Sequence, residues 1–531
     1  MRKVEKVLIV VPPLVNRDES DLDPSRPDIE SYRLVSPVEP TSVAADLLNR
    51  GYTVKLFDIG AYIDSRAERL AAFLADFRPD TVVVVQSILT FATAQDWDGK
   101  AVFDAARAHD PGIVTILTGN NATNYPGVAV TAGVCDYSIK GEVDFAVGDL
   151  LDRLTSGAAL EEVSGLSRRM DGQTFSNPDY PAVQVEQLPL PAYSILEPDQ
   201  KRQYSKMLEF GKIRYPAKSV QYRDVMTSRS CTLRCSFCSV AYLRGEKQKY
   251  RRKPLERVLA EIEMALEDGI EEIHFFDDLF VQSEQQILDF TDAIARRNLK
   301  FNWFVAQGMP LWPLTRDALA AMREAGMYRI IAPFESGSNR VLKKVVGKVH
   351  STIEHHHDVI EWAHAAGIEL IGMFVIGMPG ETRGEIYETL RFAEAHPQID
   401  YSVFSIATPM VGTRLMRQVT EQGRLDDQGK INRVIKRTVA LYHTDEFSEY
   451  ELGVIRAFDW DRINFSTPQR QEKYAGMVGI STQQLLELRE HSKQTFYRFF
   501  PDYDGPTTFH DLYPHPGMYR KGEPLIPQEL Y

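Results

Sequence analysis

The sequence predicts an α/β protein with two successive runs of alternating strands and helices and a mostly helical C-terminal region. Short apolar runs alternate with amphipathic helical patterns in residues 1–153, and the same alternation returns in residues 226–425. Such alternation is typical of parallel sheets whose strands are joined by helices. Residues 426–531 instead carry mainly helical patterns and end in a stretch rich in proline and tyrosine.

The first region begins with VLIVV (residues 7–11), a continuous apolar run that is typical of a strand buried on both faces. Further strands are predicted at 52–60, 80–88, 112–119 and 136–141, with helices at 40–51 and 66–77. The pattern predicts a doubly wound, Rossmann-like sheet, in which ligands bind beyond the carboxyl ends of the strands. The residues at those ends are Pro12, Pro13, Gln86, Ser87, Thr118, Gly119, Asn120, Gly141 and Glu142.

Composition and missing motifs disfavour several classes of protein. The chain has 531 residues, and its 61 Lys and Arg against 74 Asp and Glu give a net charge of −13, which disfavours nucleic acid as a main partner. Four cysteines are too few for a secreted disulfide scaffold, and no apolar run reaches the roughly 18 residues of a membrane span. We therefore expect a cytoplasmic protein. No G-x-G-x-x-G follows a strand and no P-loop occurs, which removes the usual support for nicotinamide, flavin or nucleoside triphosphate binding.

Residues 154–225 interrupt the alternation. The stretch is rich in proline, glycine and other turn residues, particularly between 164 and 196. We therefore expect a linker that follows the surface of the protein.

Three of the four cysteines lie in CTLRCSFC, where Cys231, Cys235 and Cys238 have the spacing C-x3-C-x2-C. Three thiolates on one short loop can bind three irons of a [4Fe–4S] cluster and leave the fourth iron open to another ligand. Zinc is the alternative, but a closed structural zinc site requires four ligands and no second cysteine pair follows. Cys135 lies almost a hundred residues away, and we expect it to be a buried structural thiol.

After Cys238, strand and helix patterns alternate with a period of about 30 residues. Strands are predicted at 272–278, 301–307, 328–336, 368–377 and 401–409, with a helical pattern between each pair. The cysteine motif followed by this repeat resembles the radical S-adenosylmethionine (SAM) enzymes. The resemblance implies a partial (β/α)6 barrel over residues 226–425, with its sites at the carboxyl ends of the strands.

The resemblance also implies that Cys231, Cys235 and Cys238 bind the cluster and that strand ends bind SAM. Asp277-Asp278 ends the second barrel strand, where the family contacts the methionine end of SAM. Asp278 is the residue that we expect to make this contact. Glu335 and Ser336 lie in a sequence that resembles the ESGS motif, in which Glu335 would bind the ammonium or ribose part of SAM. The stretch MFVIGMPGE is similar to G-x-I-x-G-x-x-G-E, with Met373 in place of the first glycine, and it would set Gly377 and Gly380 beside the adenine.

The order of the regions resembles the cobalamin-binding radical SAM enzymes. A doubly wound domain and a proline-rich segment precede the cluster loop, and TGNNATNYPG and KGEVDF stand where that subgroup carries a glycine-rich segment and a Gly-Glu pair. The resemblance implies a cobalamin site in residues 1–153 that includes Pro12, Ser87, Thr118, Gly119, Gly141 and Glu142. D-x-H-x-x-G is absent and the first histidine is His109, so we expect no protein histidine on the lower face of cobalamin.

The activity that this resemblance implies is that of a cobalamin-dependent radical SAM methyltransferase. It would act on an unactivated carbon or a phosphinate phosphorus of a small metabolite, after reductive cleavage of SAM at the [4Fe–4S] cluster. Such a centre has no acidic proton and no lone pair fit to attack SAM directly, so a radical has to be made first. The alternatives are a radical SAM enzyme without methyl transfer (a cyclase, a ring rearrangement or aminocarboxypropyl transfer) and a non-catalytic iron–sulfur or corrinoid-binding protein.

Three further stretches carry open interpretations. A basic run follows the cluster loop and contains Arg244, Lys247, Lys249, Arg251, Arg252 and Lys253. It fits a solvated loop or a contact for an anionic substrate. It also fits docking of an acidic electron donor of the flavodoxin or ferredoxin type. The three histidines 355–357 resemble a metal-binding stretch, but adjacent helical residues point about 100° apart and three in a row cannot share one metal, so we predict a solvated helix surface. Residues 426–531 are expected to form a helical cap that shapes substrate choice.

Overall fold

The computed structural model describes residues 4–12, 14–15, 32–33, 36–62, 65–86, 99–178, 182–201, 217–245, 249–425 and 440–515. These residues form two compact units. The first unit comprises the described residues of 4–230 and 240–272, and the second comprises 231–239, 273–425 and 440–515. Both units are α/β with parallel strands, and the second ends in a helical region, which confirms the predicted fold class. None of the described helices is long and apolar enough to cross a membrane.

The first unit is built on a seven-stranded sheet. Five parallel strands lie in the order Thr53–Asp58, Lys6–Val11, Thr81–Val85, Val114–Thr118 and Tyr137–Ile139. The connecting helices are Val38–Asn49, Arg66–Phe77, Lys100–His109, Asn120–Asn124, Val128–Thr131 and Ala146–Ser156.

Both faces of this sheet are buried, as a doubly wound fold requires. Successive residues of a strand point to opposite faces. Accordingly, Leu8 and Val10 pack into one apolar cluster, whereas Val7 and Ile9 pack into another. The strand at 7–11 is therefore apolar throughout because both of its faces are buried, as the sequence predicted.

The segment that the sequence predicted as a linker contributes two further strands. Leu166–Met170 pairs antiparallel with Tyr137–Ile139, and Gln173–Ser176 pairs antiparallel with Leu166–Met170. Asp171 and Gly172 join the two strands with φ angles of 49° and 80°. An Asp-Gly pair with two positive φ angles is a strong hairpin signal, and it was present in the sequence within the turn-rich stretch.

Other elements complete the first unit. The short strands Ser228–Arg229 and Arg251–Arg252 pair antiparallel, as do Leu14–Val15 and Tyr32–Arg33. The remaining elements are the strand Tyr222–Val225, the helices Val240–Leu243 and Leu255–Glu267, and the 3-10 turns Ile59–Ala61, Val185–Gln187 and Tyr193–Ile195.

In the second unit, five strands lie side by side in the order of the sequence. They are Glu272–Phe275, Asn302–Val305, Met327–Glu335, Glu369–Ile376 and Tyr401–Ile406, and pairing is parallel from the second of them onward. The helices that alternate with them are Glu284–Arg296, Arg316–Glu324, Ile353–Ala365, Arg383–Ala395 and Arg414–Glu421. A Ser or Thr side chain caps the first turn of each helix, namely Ser283, Thr315, Thr352, Thr382 and Thr413.

Two π-helical segments interrupt the regular pattern. Val341–Val346 follows the third of these strands, and Ile455–Asp459 lies in the C-terminal region. The other helices of that region are Glu449–Val454, Trp460–Phe465, Pro468–Val478, Thr482–Phe499 and Phe509–Leu512. Residues 426–439, which belong to the region predicted as mostly helical, lie outside the described residues.

Candidate functional site

The three predicted cluster ligands lie on one loop of the second unit. Cys231, Cys235 and Cys238 are half-buried and form no disulfide. The backbone N–H of Cys238 donates to the carbonyl of Cys235 at 3.1 Å, which makes a tight turn. The intervening Ser236 is held from two sides: its N–H donates to Val346 at 2.8 Å, and its carbonyl accepts from Leu415 at 2.9 Å. The loop is therefore fixed by the backbone of two neighbouring segments.

The electrostatics of this loop disfavour bare thiolates. Burial, with a smaller contribution from the neighbouring Cys238, raises the pKa of Cys231 to about 12. Burial also raises the pKa of Cys235 well above its usual range, and the other two cysteines contribute in the same direction. As thiolates, the three half-buried cysteines would repel one another. An iron–sulfur cluster neutralises such a set of thiolate ligands, so the loop fits a cluster. Within the described ranges, no three or more His, Cys, Asp or Glu side chains form a group that could hold a single metal ion.

Asp277 and Asp278 lie just beyond the carboxyl end of the strand Glu272–Phe275, separated from it by Phe276. Asp277 is buried and Asp278 is half-buried. The charge of Asp278 also raises the pKa of Cys231, after burial and the effect of Cys238, so the carboxylate lies near the cysteine loop. The structure thus brings Asp278 to the cluster loop, and its contact with SAM stays a prediction.

Glu335 ends the third strand in a left-handed backbone conformation, with φ of 65°. Its Oε1 lies 2.7 Å from Nζ of Lys348, and both side chains are buried. Lys348 also donates to the carbonyl of Pro333 at 2.9 Å. The motif at residues 335–338 marked Glu335 in the sequence, but no local pattern marked Lys348. Lys348 lies thirteen positions after Glu335 and follows a segment without a regular helical period.

Ser336 and Gly337 form a close contact with the helix Arg383–Ala395. The hydroxyl of Ser336 lies 3.1 Å from that of Thr389, which also accepts from the N–H of Gly337 at 2.9 Å. A Cβ at position 337 would lie 2.5 Å from the carbonyl oxygen of Glu388, so only glycine fits. Ser336 therefore has a structural hydrogen bond in addition to its predicted role in binding SAM.

Gly377 and Gly380 lie in the turn after the strand Glu369–Ile376, with φ angles of 83° and 88°. Oε2 of Glu381 accepts from the N–H of Gly377 at 2.7 Å and from that of Met378 at 3.1 Å. The hydroxyl of Tyr442 donates to the carbonyl of Gly377 at 2.8 Å. The two glycines thus lie in one turn, which is held by the side chains of Glu381 and Tyr442.

Glu381 is a further residue of this turn that the sequence analysis did not select. The side chain is completely buried, and its Oε1 has no hydrogen-bond partner. Burial raises the pKa of Glu381 to about 8 and outweighs the two backbone hydrogen bonds. The carboxyl group is therefore neutral over most of the physiological pH range. The glutamate that ends the glycine motif was the available signal.

In the first unit, the structure brings together Thr118, Gly119 and Gly141 at the carboxyl ends of adjacent strands. The hydroxyl of Thr123 donates to the carbonyl of Gly119 at 2.7 Å and accepts from the N–H of Gly141 at 2.9 Å. Thr118 donates its hydroxyl to Val84 at 3.1 Å. Two of the predicted strand ends are thus linked through one threonine.

Gly119 closely approaches the end of the neighbouring strand. It has φ of 90°, and a Cβ there would lie 1.8 Å from the carbonyl oxygen of Gln86. The side chain of Gln86 accepts from the N–H of Asn121 at 3.1 Å. Pro12 is buried at the end of the strand Lys6–Val11. Ser87, together with Pro13, lies outside the described residues.

Glu142 is engaged by protein groups. Arg251 donates to its two oxygens at 2.7 and 2.8 Å, and the N–H of Val183 donates at 2.9 Å. Burial opposes ionisation of Glu142, but the charges of Arg229, Arg251 and Arg244 outweigh it and lower its pKa. Its predicted role as a cobalamin contact stays a prediction, and the structure gives the carboxylate a structural role in addition.

The basic run that contains Arg251 is largely neutralised within the same unit. Arg244 is buried, with its guanidinium 3.4 Å from Glu39 and 3.6 Å from Glu142. Lys253 lies 2.5 Å from Glu261. The interpretation as a solvated loop is therefore wrong for these arginine and lysine side chains. Lys249 is exposed, Arg252 is half-buried, and Lys247 lies outside the described residues.

The histidine stretch has one feature that the sequence analysis missed. His356 is completely buried against Phe334, and burial lowers its pKa to about 3. The predicted solvated surface is thus wrong for His356. His357 is exposed and lies 2.6 Å from the ring nitrogen of His396. Cys135 is buried, as predicted.

The comparisons with known proteins agree with this geometry. Residues 225–393 match the family model of the radical SAM superfamily. The matched residues contain the cysteine loop and the parallel strands that follow it as far as Glu369–Ile376, so this part of the chain is a radical SAM domain.

The similarity to known proteins extends beyond that domain. It is 29% identical to an uncharacterized methyltransferase of Pyrococcus horikoshii, over 78% of this chain and 83% of the relative. It is 27% identical to cytidylyl-2-hydroxyethylphosphonate methyltransferase of Streptomyces wedmorensis, over 83% and 89%. The structure of the radical SAM methyltransferase TsrM from Kitasatospora setae, with cobalamin and a [4Fe–4S] cluster bound, has a TM-score of 0.61 at 17% identity and covers 79% of this chain and 78% of its own. That similarity shows the same fold.

Proposed function

We propose that the protein is a cobalamin-dependent radical SAM methyltransferase that acts on a small metabolite. The observation that carries the proposal is the loop of Cys231, Cys235 and Cys238, fixed by backbone hydrogen bonds and flanked by the buried Lys348–Glu335 pair. The relatives named as methyltransferases support methyl transfer, and the cobalamin in the TsrM structure supports a corrinoid cofactor.

The residues of the second unit would bind two cofactors. Cys231, Cys235 and Cys238 would hold a [4Fe–4S] cluster, which supplies the electron for cleavage of SAM at its open iron. Asp278, Glu335 and Ser336 would contact the polar parts of SAM. The turn of Gly377 and Gly380 would border the adenine: the Cβ position of Gly380 faces open space, whereas that of Gly377 lies 2.6 Å from the side chain of Leu452.

The strand ends of the first unit would bind cobalamin, which supplies the methyl group. Pro12, Thr118, Gly119, Gly141 and Glu142 lie at or next to these ends, and Ser87 is predicted there from the sequence. Support comes from Gly119, where even one Cβ would collide with the neighbouring strand end. Thr123 links the loops of Gly119 and Gly141, so the edge is built as one surface.

The substrate would accept the methyl group on an unactivated carbon or a phosphinate phosphorus. Cytidylyl-2-hydroxyethylphosphonate, the compound named for the Streptomyces relative, is the first compound to test. An anionic substrate group and an acidic electron donor of the flavodoxin or ferredoxin type are the partners that we propose. Since Arg244, Arg251 and Lys253 are paired with carboxylates, they are not the groups that such partners would meet. A cytoplasmic location stays a prediction.

One experiment tests the proposal. The protein is purified without oxygen from cells supplied with corrinoid, and iron, sulfide and corrinoid are measured per chain. SAM and dithionite are then added, and deoxyadenosine is measured by mass spectrometry, with the candidate substrate and without it. We expect four irons, one corrinoid, deoxyadenosine and a product heavier by one methyl group.

The alternatives predict other results. A radical SAM enzyme without methyl transfer would form deoxyadenosine but bind no corrinoid or give a product without an added methyl group. A non-catalytic iron–sulfur or corrinoid-binding protein would form no deoxyadenosine with dithionite. Either result would overturn the proposed methyl transfer.

A further inference from the structure

We propose that Lys348 is a positioning residue that holds a fixed positive charge beside the cysteine loop and thereby makes the bound cluster easier to reduce. This inference rests on the proposed function, because it assumes that Cys231, Cys235 and Cys238 hold the [4Fe–4S] cluster. It assigns to Lys348 an effect on the electron-transfer step that precedes cleavage of SAM.

The fold brings Lys348 to the loop through the π-helix Val341–Val346. The N–H of Gly347 donates to the carbonyl of Leu342 at 3.0 Å, five residues back, and Gly347 has φ of 94°. A Cβ at Gly347 would lie 3.3 Å from the carbonyl oxygen of Arg234, within the cysteine loop. Val346 accepts the N–H of Ser236 in the same loop. The backbone on the N-terminal side of Lys348 is therefore packed against the cluster loop itself.

The ammonium group of Lys348 is buried and has two oxygen partners. Glu335 lies 2.7 Å away, and the carbonyl of Pro333 accepts a hydrogen bond at 2.9 Å. Burial opposes the charge, but Glu335 and then Cys235 outweigh it and raise the pKa of Lys348. Because a buried charge is stable only when it is paired, Glu335 keeps Lys348 charged in this structure.

A fixed charge at this place favours the reduced cluster. One-electron reduction by an external donor adds one negative charge to the cluster, and no other bond or proton has to change. A nearby cation stabilises that added charge, and the effect is largest in a buried site because water does not screen it. Removal of the cation alone should therefore lower the reduction potential.

The experiment compares the holoenzyme with the variants Lys348→Met and Lys348→Arg in a redox titration followed by electron paramagnetic resonance of the reduced cluster. Lys344→Met is the matched control, since Lys344 is an exposed lysine on the same π-helix. We expect Lys348→Met to reduce the equilibrium constant of reduction by at least about tenfold, which is about 59 mV for one electron. Lys348→Arg and Lys344→Met should stay within about twofold of wild type.

A second variant separates the charge from the fold. Lys348→Met leaves Glu335 buried without its partner, which is costly. The double variant Glu335→Gln with Lys348→Met removes both charges and should retain iron. Because Lys348 acts on Cys235 more strongly than the opposing charge of Glu335 does, the potential of the double variant should lie below that of wild type by less than in Lys348→Met. An unchanged potential in an iron-loaded Lys348→Met or double variant would overturn the inference. A wild-type protein that binds no iron would instead overturn the proposed function, so the two failures are distinguishable.

Discussion

The guanidinium of Arg229 donates two hydrogen bonds to the carboxylate of Asp144, at 2.6 and 2.8 Å. Both side chains are buried, and the hydroxyl of Ser42 donates a third bond to the same carboxylate at 2.7 Å. Burial opposes ionisation of Asp144, but Arg229 outweighs it and lowers the pKa of Asp144 to about 2. The pair ties the loop after the strand Tyr137–Ile139 to the strand Ser228–Arg229 within the first unit.

We predict that Asp144→Asn destabilises the first unit strongly. The substitution removes the hydrogen-bonded carboxylate of the buried Arg229 and leaves Glu142, 3.9 Å away, as its acidic neighbour, which costs up to about 3–5 kcal/mol. Urea denaturation of the wild-type and variant proteins measures the loss. Asp104→Asn is the control, because Asp104 pairs with Lys100 at the surface and its loss should cost about 1 kcal/mol or less. Equal midpoints for Asp144→Asn and the control would contradict the prediction.

The second prediction concerns pH and Glu381. The unfolded chain releases the proton of this carboxyl group near pH 4.5, whereas the folded chain keeps it until about pH 8. The folded state therefore binds more protons in this window, and the free energy of unfolding falls as the pH rises. Between pH 5.5 and 8.5 the contribution of Glu381 amounts to about 3 kcal/mol.

Glu381→Gln should remove this contribution, because the amide oxygen still accepts from Gly377 and Met378 but the side chain cannot ionise. Chemical denaturation at pH 5.5 and 8.5 measures the difference between the variant and wild type. Glu324→Gln, at an exposed glutamate of the same unit, should retain the wild-type pH dependence. The prediction fails if the pH dependence of Glu381→Gln equals that of wild type.

The third prediction concerns Gly119. Any side chain would strain a backbone with φ of 90° and collide with the carbonyl of Gln86, so even Gly119→Ala should displace the strand end. We expect Gly119→Ala and Gly119→Trp to lose bound corrinoid while iron content remains near wild type. Corrinoid and iron are measured on the same purified samples. Gly133→Ala is the matched control, since Gly133 has φ of 72° but open space around its Cβ position. Full corrinoid binding by Gly119→Trp would exclude the proposed cleft.

The fourth prediction separates the cysteines. Cys231→Ala, Cys235→Ala or Cys238→Ala should each abolish the brown colour and SAM cleavage, because two thiolates hold a cluster poorly. Cys135→Ala should retain wild-type iron content, since Cys135 packs in an apolar cluster of the first unit. Iron analysis and the visible absorption spectrum measure both effects. Full iron content in Cys235→Ala would show that the ligand assignment is wrong.

The fifth prediction concerns the lower face of cobalamin. The first unit has one histidine, His109, and it is exposed at the C-terminal end of the helix Lys100–His109. A helix that follows a parallel strand runs back, so this end lies at the amino edge of the sheet, opposite the predicted site. The cob(II)alamin form should therefore show no superhyperfine splitting from a lower nitrogen ligand in electron paramagnetic resonance. Observation of that splitting would refute the predicted geometry.

The sequence predicted the features that depend on local pattern. The buried strand at 7–11, the alternation after Cys238 and the cysteine loop all follow from residue type and spacing within short windows. The hairpin at Asp171-Gly172 was also encoded locally, but the surrounding proline and glycine residues favoured a linker.

The pairs that support the candidate sites could not be predicted in this way. Arg251 reaches Glu142 across 109 positions, and Arg229 reaches Asp144 across 85. A charged residue in a sequence is usually solvated, and only the folded structure shows which partner compensates it when it is buried. The same holds for Lys348, which the sequence presents as one of several lysines around the π-helix.

We expect the π-helix Val341–Val346 to lower the thermal stability of the protein while it supports the cysteine loop. It has one more residue per turn than the α-helix, which is the usual signature of an inserted residue retained at a functional position. Deletion of Lys344 would restore α-helical spacing and would turn the following residues by about 100° relative to the helix axis. We expect such a shortened chain to melt at a higher temperature while it binds iron poorly. In that case the π-helix would trade thermal stability for the position of Lys348 beside the cysteine loop.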